Sequence, residues 1–369
     1  MCILLSVLAV MLCTCFPSFA KSGISVDVSA ESAVLIEAEG GEIIFEKDKD
    51  KKLPTASTTK IMTAILVIEN CDISKTVEVD KRAVGVKGST VYLTENQRLS
   101  VEDLLYALML ESANDAAAEL ALVAGEGDDG NFVSMMNEKA ALLGMKNTHF
   151  SNPHGLCDDE HYSTAYDMAL LMRYAMRNDT FCTIVSSYRY NCKTLNRNFI
   201  NHNRLLISNI GCNGGKTGYT KKSGRCLVSS AKRNETELIS VTLNAPDDWI
   251  DHTRLYESAY DKYISYELVT RGQYGFCVPV VNSKSTSLYC EAKECRAFIN
   301  KSDMENIRTE VHLKKFYYGG IKKGDKVGEM LFFINDKEIA RSEIISDCDC
   351  ENIVYKNLFE RLLSFFIKD

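Results

Sequence analysis

Three short motifs restrict the folds open to this chain more than any other feature. In order they are Ser57-Thr58-Thr59-Lys60, Ser112-Ala113-Asn114 and Lys216-Thr217-Gly218. Together they hold a nucleophile, a base, a second hydroxyl with an amide, and a cation. Serine is a weak nucleophile unless a base lies within hydrogen-bond reach. On a helix, residues i and i+3 share a face, so Ser57 and Lys60 meet if the helix begins near Ser57. Lys60 accepts a proton only when neutral, which burial and a second cation such as Lys216 favour. A helix N-terminus at Ser57 also favours developing negative charge. Ser112 can relay a proton to a leaving nitrogen, and Asn114 can bond a substrate amide through both ends of its side chain. Lys216 and Thr217 suit a terminal carboxylate, and Gly218 lets a substrate lie directly along its strand. The backbone N–H groups of Ser57 and Tyr219 can form an oxyanion hole. The fold must therefore gather three distant segments into one cleft.

A lone Ser-x-x-Lys carries little weight, because Ser18 to Lys21 and Ser229 to Lys232 match it too. Lys-Thr-Gly and Ser-x-Asn each occur once, and the ordered set points to an enzyme that acylates itself on serine.

The patterning between the motifs predicts an α+β chain. Ala33 to Ala38 and Glu42 to Glu46 read as a β-hairpin turning at Gly40-Gly41. Ile61 to Ile68 is apolar on all sides and reads as a buried helix. Val101 to Val123 reads as one helix, with Asn131 to Leu143 and Ala165 to Met176 as two more. Cys226 to Ala231 and Leu238 to Leu243 read as strands joined at Arg233-Asn234-Glu235, and Asp247 to Tyr263 as a closing helix. Strands come from both ends of this region and helices from its middle, so the sheet is expected to be antiparallel with helices packed on it. This unit is expected over residues 24–265. Gly272 marks a boundary, and the runs Phe276 to Val281, Thr309 to Leu313 and Lys326 to Ile334 predict a small β-rich domain over 272–350. Residues 354–369 place Val354, Leu358, Leu362 and Phe365 on one face, as in an amphipathic helix lying on a membrane surface or docked on its own domain.

At the other end, Ile3 to Phe19 is apolar or small and Ser18-Phe19-Ala20 resembles a small-x-small cleavage site, so residues 1–20 read as a signal peptide. The formal net charge of −7 argues against nucleic-acid binding. Of 14 cysteines, Cys2, Cys13 and Cys15 lie in that leader, which leaves an odd number. No Cys-x-x-Cys pair occurs, and no metal site is expected.

The chain resembles the serine-type D-alanyl-D-alanine carboxypeptidases, which are low-molecular-mass penicillin-binding proteins. The resemblance rests on Leu53-Pro54-Thr55-Ala56-Ser57-Thr58-Thr59-Lys60-Ile61-Met62-Thr63-Ala64 and on Leu110-Glu111-Ser112-Ala113-Asn114-Asp115-Ala116. Phe150 to Leu156, Tyr162-Ser163-Thr164-Ala165, Gly215-Lys216-Thr217-Gly218-Tyr219-Thr220 and Ile321-Lys322-Lys323-Gly324-Asp325 extend it over roughly residues 24 to 367. It implies a transpeptidase/β-lactamase-like catalytic domain, a smaller β-rich domain and a terminal membrane-surface helix. It implies cleavage of the last D-alanine from peptidoglycan stem peptides through an acyl-serine, acylation by β-lactam antibiotics, and no cofactor. Export to the outer face of the cytoplasmic membrane or to the cell wall goes with that role. By position Ser57 is the nucleophile, Lys60 its base and Ser112 a catalytic partner, while Asn114, Lys216, Thr217, Gly218 and Tyr219 bind substrate. Arg225 departs from the pattern, standing where relatives often carry an aromatic residue.

Two other functions compete. A serine β-lactamase of class A deacylates with a separate glutamate, and no Glu-x-x-Leu-Asn segment lies between the second and third motifs: Leu195-Asn196 follows Cys192, Lys193 and Thr194. A wall-binding protein with a dead site conflicts with the full set of reactive residues. Among lesser candidates, His154 sits in a Pro-His-Gly turn and reads as structural. His202 reads as loop-ordering or exposed, Trp249 as a partly buried packing residue, Tyr317-Tyr318 as a hairpin edge, and Asp128 to Gly130 as a plain acidic turn.

Overall fold

The computed structural model describes residues 23–156 and 158–353. The expected leader at 1–20 and the expected helix at 354–369 lie outside the described residues. The first domain is built on a five-stranded antiparallel sheet. Its strands are β1 (Ser32–Glu37), β2 (Ile43–Lys47), β3 (Cys212–Thr220), β4 (Gly224–Arg233) and β5 (Thr236–Leu243), in the order β2-β1-β5-β4-β3. Ala33 pairs with Thr242 and Ile36 with Ile239, which joins the two ends of the domain.

Every residue of β1 is buried, because both faces of the sheet are covered. Side chains alternate across a strand. Val34 and Ile36 therefore lie in the core shared with α1 (Lys60–Asn70), while Ala33 and Leu35 lie in the core on the other face, shared with Leu255 and Tyr256 of the closing helix at Asp248–Lys262. Each fully buried Leu or Ile of this kind contributes roughly 1.5–3 kcal/mol.

Among the described residues five α-helices lie between α1 and that closing helix in the chain, and four of them shape the site: α2 (Val101–Leu110), α3 (Asn114–Ala124), α4 (Asp129–Leu142) and α5 (Ala165–Ala175). All four pack around α1, which explains why α1 has no polar face before its last turn. Ser100 caps α2 by accepting from Asp103 N at 2.9 Å, and Asp128 caps α4 by accepting from Gly130 N at 2.9 Å. The acidic turn at 128–130 is thus a helix cap.

The single helix expected over Val101 to Val123 is two helices. The chain breaks at Glu111-Ser112-Ala113, where Ser112 takes a left-handed φ of 59°. No glycine or proline marks the break, and the apolar pattern runs straight through it. At the break Asn114 N donates to Ser89 O at 2.7 Å, outside any helix, and the buried carboxylate of Asp115 accepts from Leu93 N at 3.0 Å, from Val91 N and from Ala116 N.

The second domain is β-rich. A six-stranded sheet orders Arg308–Leu313, Lys326–Ile334, Lys337–Ser346, Ser287–Ala292, Gly275–Val281 and Tyr317–Tyr318. Tyr317 and Tyr318 add to the sheet edge in parallel with Val280 and Val281. A separate pair joins Tyr263–Val269 to Cys295–Asn300. Leu288, Phe332 and Ile344 lie in its core. Among the described residues no helix is long and apolar enough to cross a membrane.

Candidate active site

Ser57 lies in a 3-10 turn, Ala56–Thr59, and α1 starts at Lys60. Ala56 holds a φ of 47°, a strained value for a residue with a side chain. The turn brings Lys60 Nζ to 3.0 Å from Ser57 Oγ. The same nitrogen donates to Asn114 Oδ1 at 2.6 Å and to the His154 carbonyl at 2.9 Å. Those two oxygens can only accept. A neutral amine has two N–H bonds and one lone pair, so both donors are used and the lone pair is left for the Ser57 hydroxyl. Burial first, and then the charge of Lys216, hold Lys60 well below the usual lysine range, against the opposing pull of Asp115.

Ser112 is 7% exposed and lines a cavity of about 350 Å³ with Ser57, Thr217, Gly218 and Tyr219. Its left-handed backbone lifts it out of the line of α2. Asn114 opens α3. Its amide oxygen is taken by Lys60, and Nδ2 donates to Lys87 O at 2.7 Å. The sequence suggested that both ends meet substrate; in the fold one N–H remains.

Lys216, Thr217 and Gly218 lie on β3, the edge strand. Among the described residues no strand pairs with its outer side. A Cβ at Gly218 would stand 2.9 Å from Ser57 N and 3.0 Å from Thr55 O, so only glycine lets β3 lie against the turn that holds Ser57. Lys216 is buried, donates to Thr217 O at 3.0 Å, and is pushed down by burial to about 7.

The turn at 151–156 is the part that motif reading missed. The His154 carbonyl is a direct partner of Lys60. Thr63 Oγ1 donates to Pro153 O at 2.6 Å, and a Cβ on Gly155 (φ 81°) would fall 1.8 Å from Ala56 O. The Pro153-His154-Gly155 sequence gave the turn but not its target. The His154 ring is pushed down to about 3, first by burial and then by Lys60, so it is neutral at working pH. His161 Nε2 lies 2.8 Å from Thr59 Oγ1 and ties a second distant segment to the turn.

Ser89, His202, Arg204, Arg225, Asp248 and Trp249 complete the cavity wall. A larger groove of about 710 Å³ lies on the β-rich domain between Val311 and Glu329, and its walls hold no serine or cysteine. Among the described residues no three His, Cys, Asp or Glu side chains converge as a metal site requires.

Comparison with known proteins agrees with this geometry. The D-alanyl-D-alanine carboxypeptidase family matches residues 19–247, and the C-terminal domain of penicillin-binding protein 5 matches residues 263–355. The D-alanyl-D-alanine carboxypeptidase DacF of Bacillus subtilis (strain 168) is 30% identical over 352 residues, covering 92% of this chain and 90% of that protein. DacC of Escherichia coli (strain K12), another D-alanyl-D-alanine carboxypeptidase, is 32% identical over 360 residues, covering 92% and 88%. The crystal structure of penicillin-binding protein 5 from Haemophilus influenzae superposes with a TM-score of 0.73 at 26% identity, covering 89% of this chain and 99% of that one. With its serine beside a buried lysine and its two-domain plan, this chain belongs to the peptidase S11 family and is a serine-type D-Ala-D-Ala carboxypeptidase.

Proposed function

We infer that the protein removes the terminal D-alanine from peptidoglycan stem peptides through an ester on Ser57. Ser57 Oγ attacks the carbonyl of the penultimate residue while Lys60 takes its proton. The proton passes by way of Ser112 to the nitrogen of the departing D-alanine. Water then cleaves the ester, with Lys60 again as base. Asn114 holds Lys60 and offers one N–H to the substrate amide. Thr217, Gly218 and Tyr219 line the path of the peptide along edge strand β3, where main-chain pairing can align it. The N–H groups of Ser57 and Tyr219 receive the oxyanion. Lys216 holds Lys60 in its neutral form. A β-lactam presents the same amide and carboxylate, and acylates the same serine.

One observation carries this reading: Lys60 Nζ stands 3.0 Å from Ser57 Oγ in a fully buried position, where burial and the charge of Lys216 push it toward the neutral form that can take the serine proton. The reading also places the protein outside the cytoplasm, with 1–20 as the export leader and 354–369 at the membrane surface. The catalytic unit then spans 24–265 and the β-rich unit 272–350. The test is release of D-alanine from a peptide ending in D-Ala-D-Ala, with Ser57→Ala as control. Wild type is expected to turn this peptide over and, with penicillin, to gain the mass of one molecule of the drug. Ser57→Ala is expected to lose both by at least about 10⁴-fold while melting at the same temperature. Rapid turnover of penicillin with no action on the peptide would instead identify a β-lactamase.

A further inference from the structure

The outermost strand of the β-rich domain is the short Tyr317–Tyr318, and among the described residues no strand pairs with its free side. Alternation splits the pair. Tyr317 is buried in the domain core, where its hydroxyl donates to Val327 O. Tyr318 points outward and is 65% exposed. Phe316, two residues earlier, is 47% exposed and meets Tyr318 edge to face, with ring centres 5.7 Å apart. Val281 pairs with Tyr318 in the sheet and is exposed as well. One corner of the domain thus holds three large apolar side chains in water, and contiguous exposure of this kind marks an interaction surface.

The chain leaves the described residues at this same corner. Ile353 N donates to Asn282 O at 3.2 Å, Asn352 bridges to Ser283, and Gly319 N donates to Val281 O at 3.0 Å. A Cβ on Gly319 would stand 2.8 Å from Asn352 Oδ1, so the backbone after Tyr318 presses on the departing chain. Ile353, the last described residue, is itself exposed. The sequence that goes on from here, 354–369, is the one whose pattern is amphipathic.

Charge divides the sheet face around the corner. Lys314 and Lys315 lead into Phe316, both are exposed, and neither has a carboxylate partner among the described residues. The acids stand elsewhere or are occupied. Asp347 lies beside Tyr289, two strands in from the edge, and is paired with Lys323. Asp349 accepts from Lys323 N, and Glu351 at the exit is paired with Lys284. Aromatic rings flanked by free lysines suit the interfacial zone of a bilayer, where rings sit at headgroup level and lysines meet anionic lipid. Phe316 and Tyr318 stand at 77° to each other, which gives an edge to insert and not a flat platform for a sugar ring.

We propose that this corner, Phe316 and Tyr318 with Lys314 and Lys315, is a second membrane contact that seats the β-rich domain on anionic lipid beside the exit of the chain. This rests on the reading above that residues 354–369 lie at a membrane surface. Two weak contacts on one body multiply, because the first raises the effective concentration of the second, and together they fix which edge of the domain faces the lipid.

The full chain is floated with vesicles of phosphatidylglycerol and phosphatidylcholine, and D-alanine release from a soluble peptide is followed alongside. Wild type is expected to float. Phe316→Ser combined with Tyr318→Ser is expected to weaken partition about 10-fold with D-alanine release unchanged. Lys314→Gln combined with Lys315→Gln is expected to weaken it about 10-fold on mixed vesicles and little on phosphatidylcholine alone. Tyr318→Trp adds an emitter to the single native Trp249, and lipid brominated in its chains is expected to quench the added emission. A double serine variant that floats as wild type does, or added emission that bromine leaves untouched, overturns the proposal while 354–369 keeps its role. A double serine variant that keeps its lipid partition and loses binding to insoluble peptidoglycan also overturns it, in favour of a wall contact. A wild type that does not float overturns the membrane reading and this proposal with it, and D-alanine release then shows whether the carboxypeptidase reading stands alone.

Discussion

The two domains treat charge in opposite ways. In the catalytic domain Lys60, Lys216, His161 and His252 are buried and His154 is half-buried, and each is pushed toward its neutral form chiefly by loss of water. In the β-rich domain the charged groups pair on the surface: Lys323 with Asp347, Lys293 with Glu343, Arg341 with Glu338. Such exposed pairs contribute little. The second domain is thus held by its apolar core around Leu288, Phe332 and Ile344. The first spends part of its packing on keeping two lysines dry. Reactivity and conformational stability draw on the same core in one domain and on separate regions across the two.

The contrast sharpens under substitution. Gly218→Ala forces a methyl to 2.9 Å from Ser57 N, so penicillin acylation is expected to slow about 100-fold with little change in melting. Stopped-flow acylation rates check it, and an unchanged rate would mean that β3 does not press on the turn that holds Ser57. Lys216→Met removes a cation that helps keep Lys60 neutral, and acylation at pH 7 is expected to fall about tenfold. The same variant tests the stability side. A lysine titrates near 10.4 when unfolded and Lys216 near 7 when folded, so between these values the unfolded chain binds more protons. Wild-type stability therefore climbs from about pH 7 toward about pH 10, and Lys216→Met flattens part of that slope in urea midpoints.

Phe332→Ala works the other domain. It is expected to cost about 3–5 kcal/mol there and to leave the acylation rate unchanged. A slowed rate would show that the two domains are energetically coupled. Deleting residues 354–369 has the smallest expected effect on chemistry, none in solution. Its expected result is a shift of the protein from the membrane fraction to the soluble one, and unchanged partition would favour a helix docked on its own domain.

Much of this was legible in the sequence. The hairpin at Gly40-Gly41, the all-apolar α1, the strands on either side of Arg233-Asn234-Glu235 and the β-rich second half follow from local pattern, and local pattern is what tertiary packing reinforced. The pairing of Ser57 with Lys60 followed from helical spacing. What could not be read was non-local. At the break by Ser112, Asp115 accepts from the distant N–H groups of Val91 and Leu93, and nothing in residues 110–114 announces it. The His154 carbonyl has no side-chain identity to be recognised by. The pairing of Arg225 at the cavity wall needs Asp248, 23 residues further on, brought back by the turn into the closing helix.

The carbonyl that completes the shell of Lys60 lies 94 residues further along the chain. Until that loop arrives, Lys60 is an ordinary solvated ammonium ion and Ser57 an ordinary alcohol. On the proposed mechanism a newly made or half-unfolded chain that lacks this contact is expected to be unreactive. Covalent capture of a drug would then count native molecules, and the antibiotic would serve as a conformational probe as well as an inhibitor.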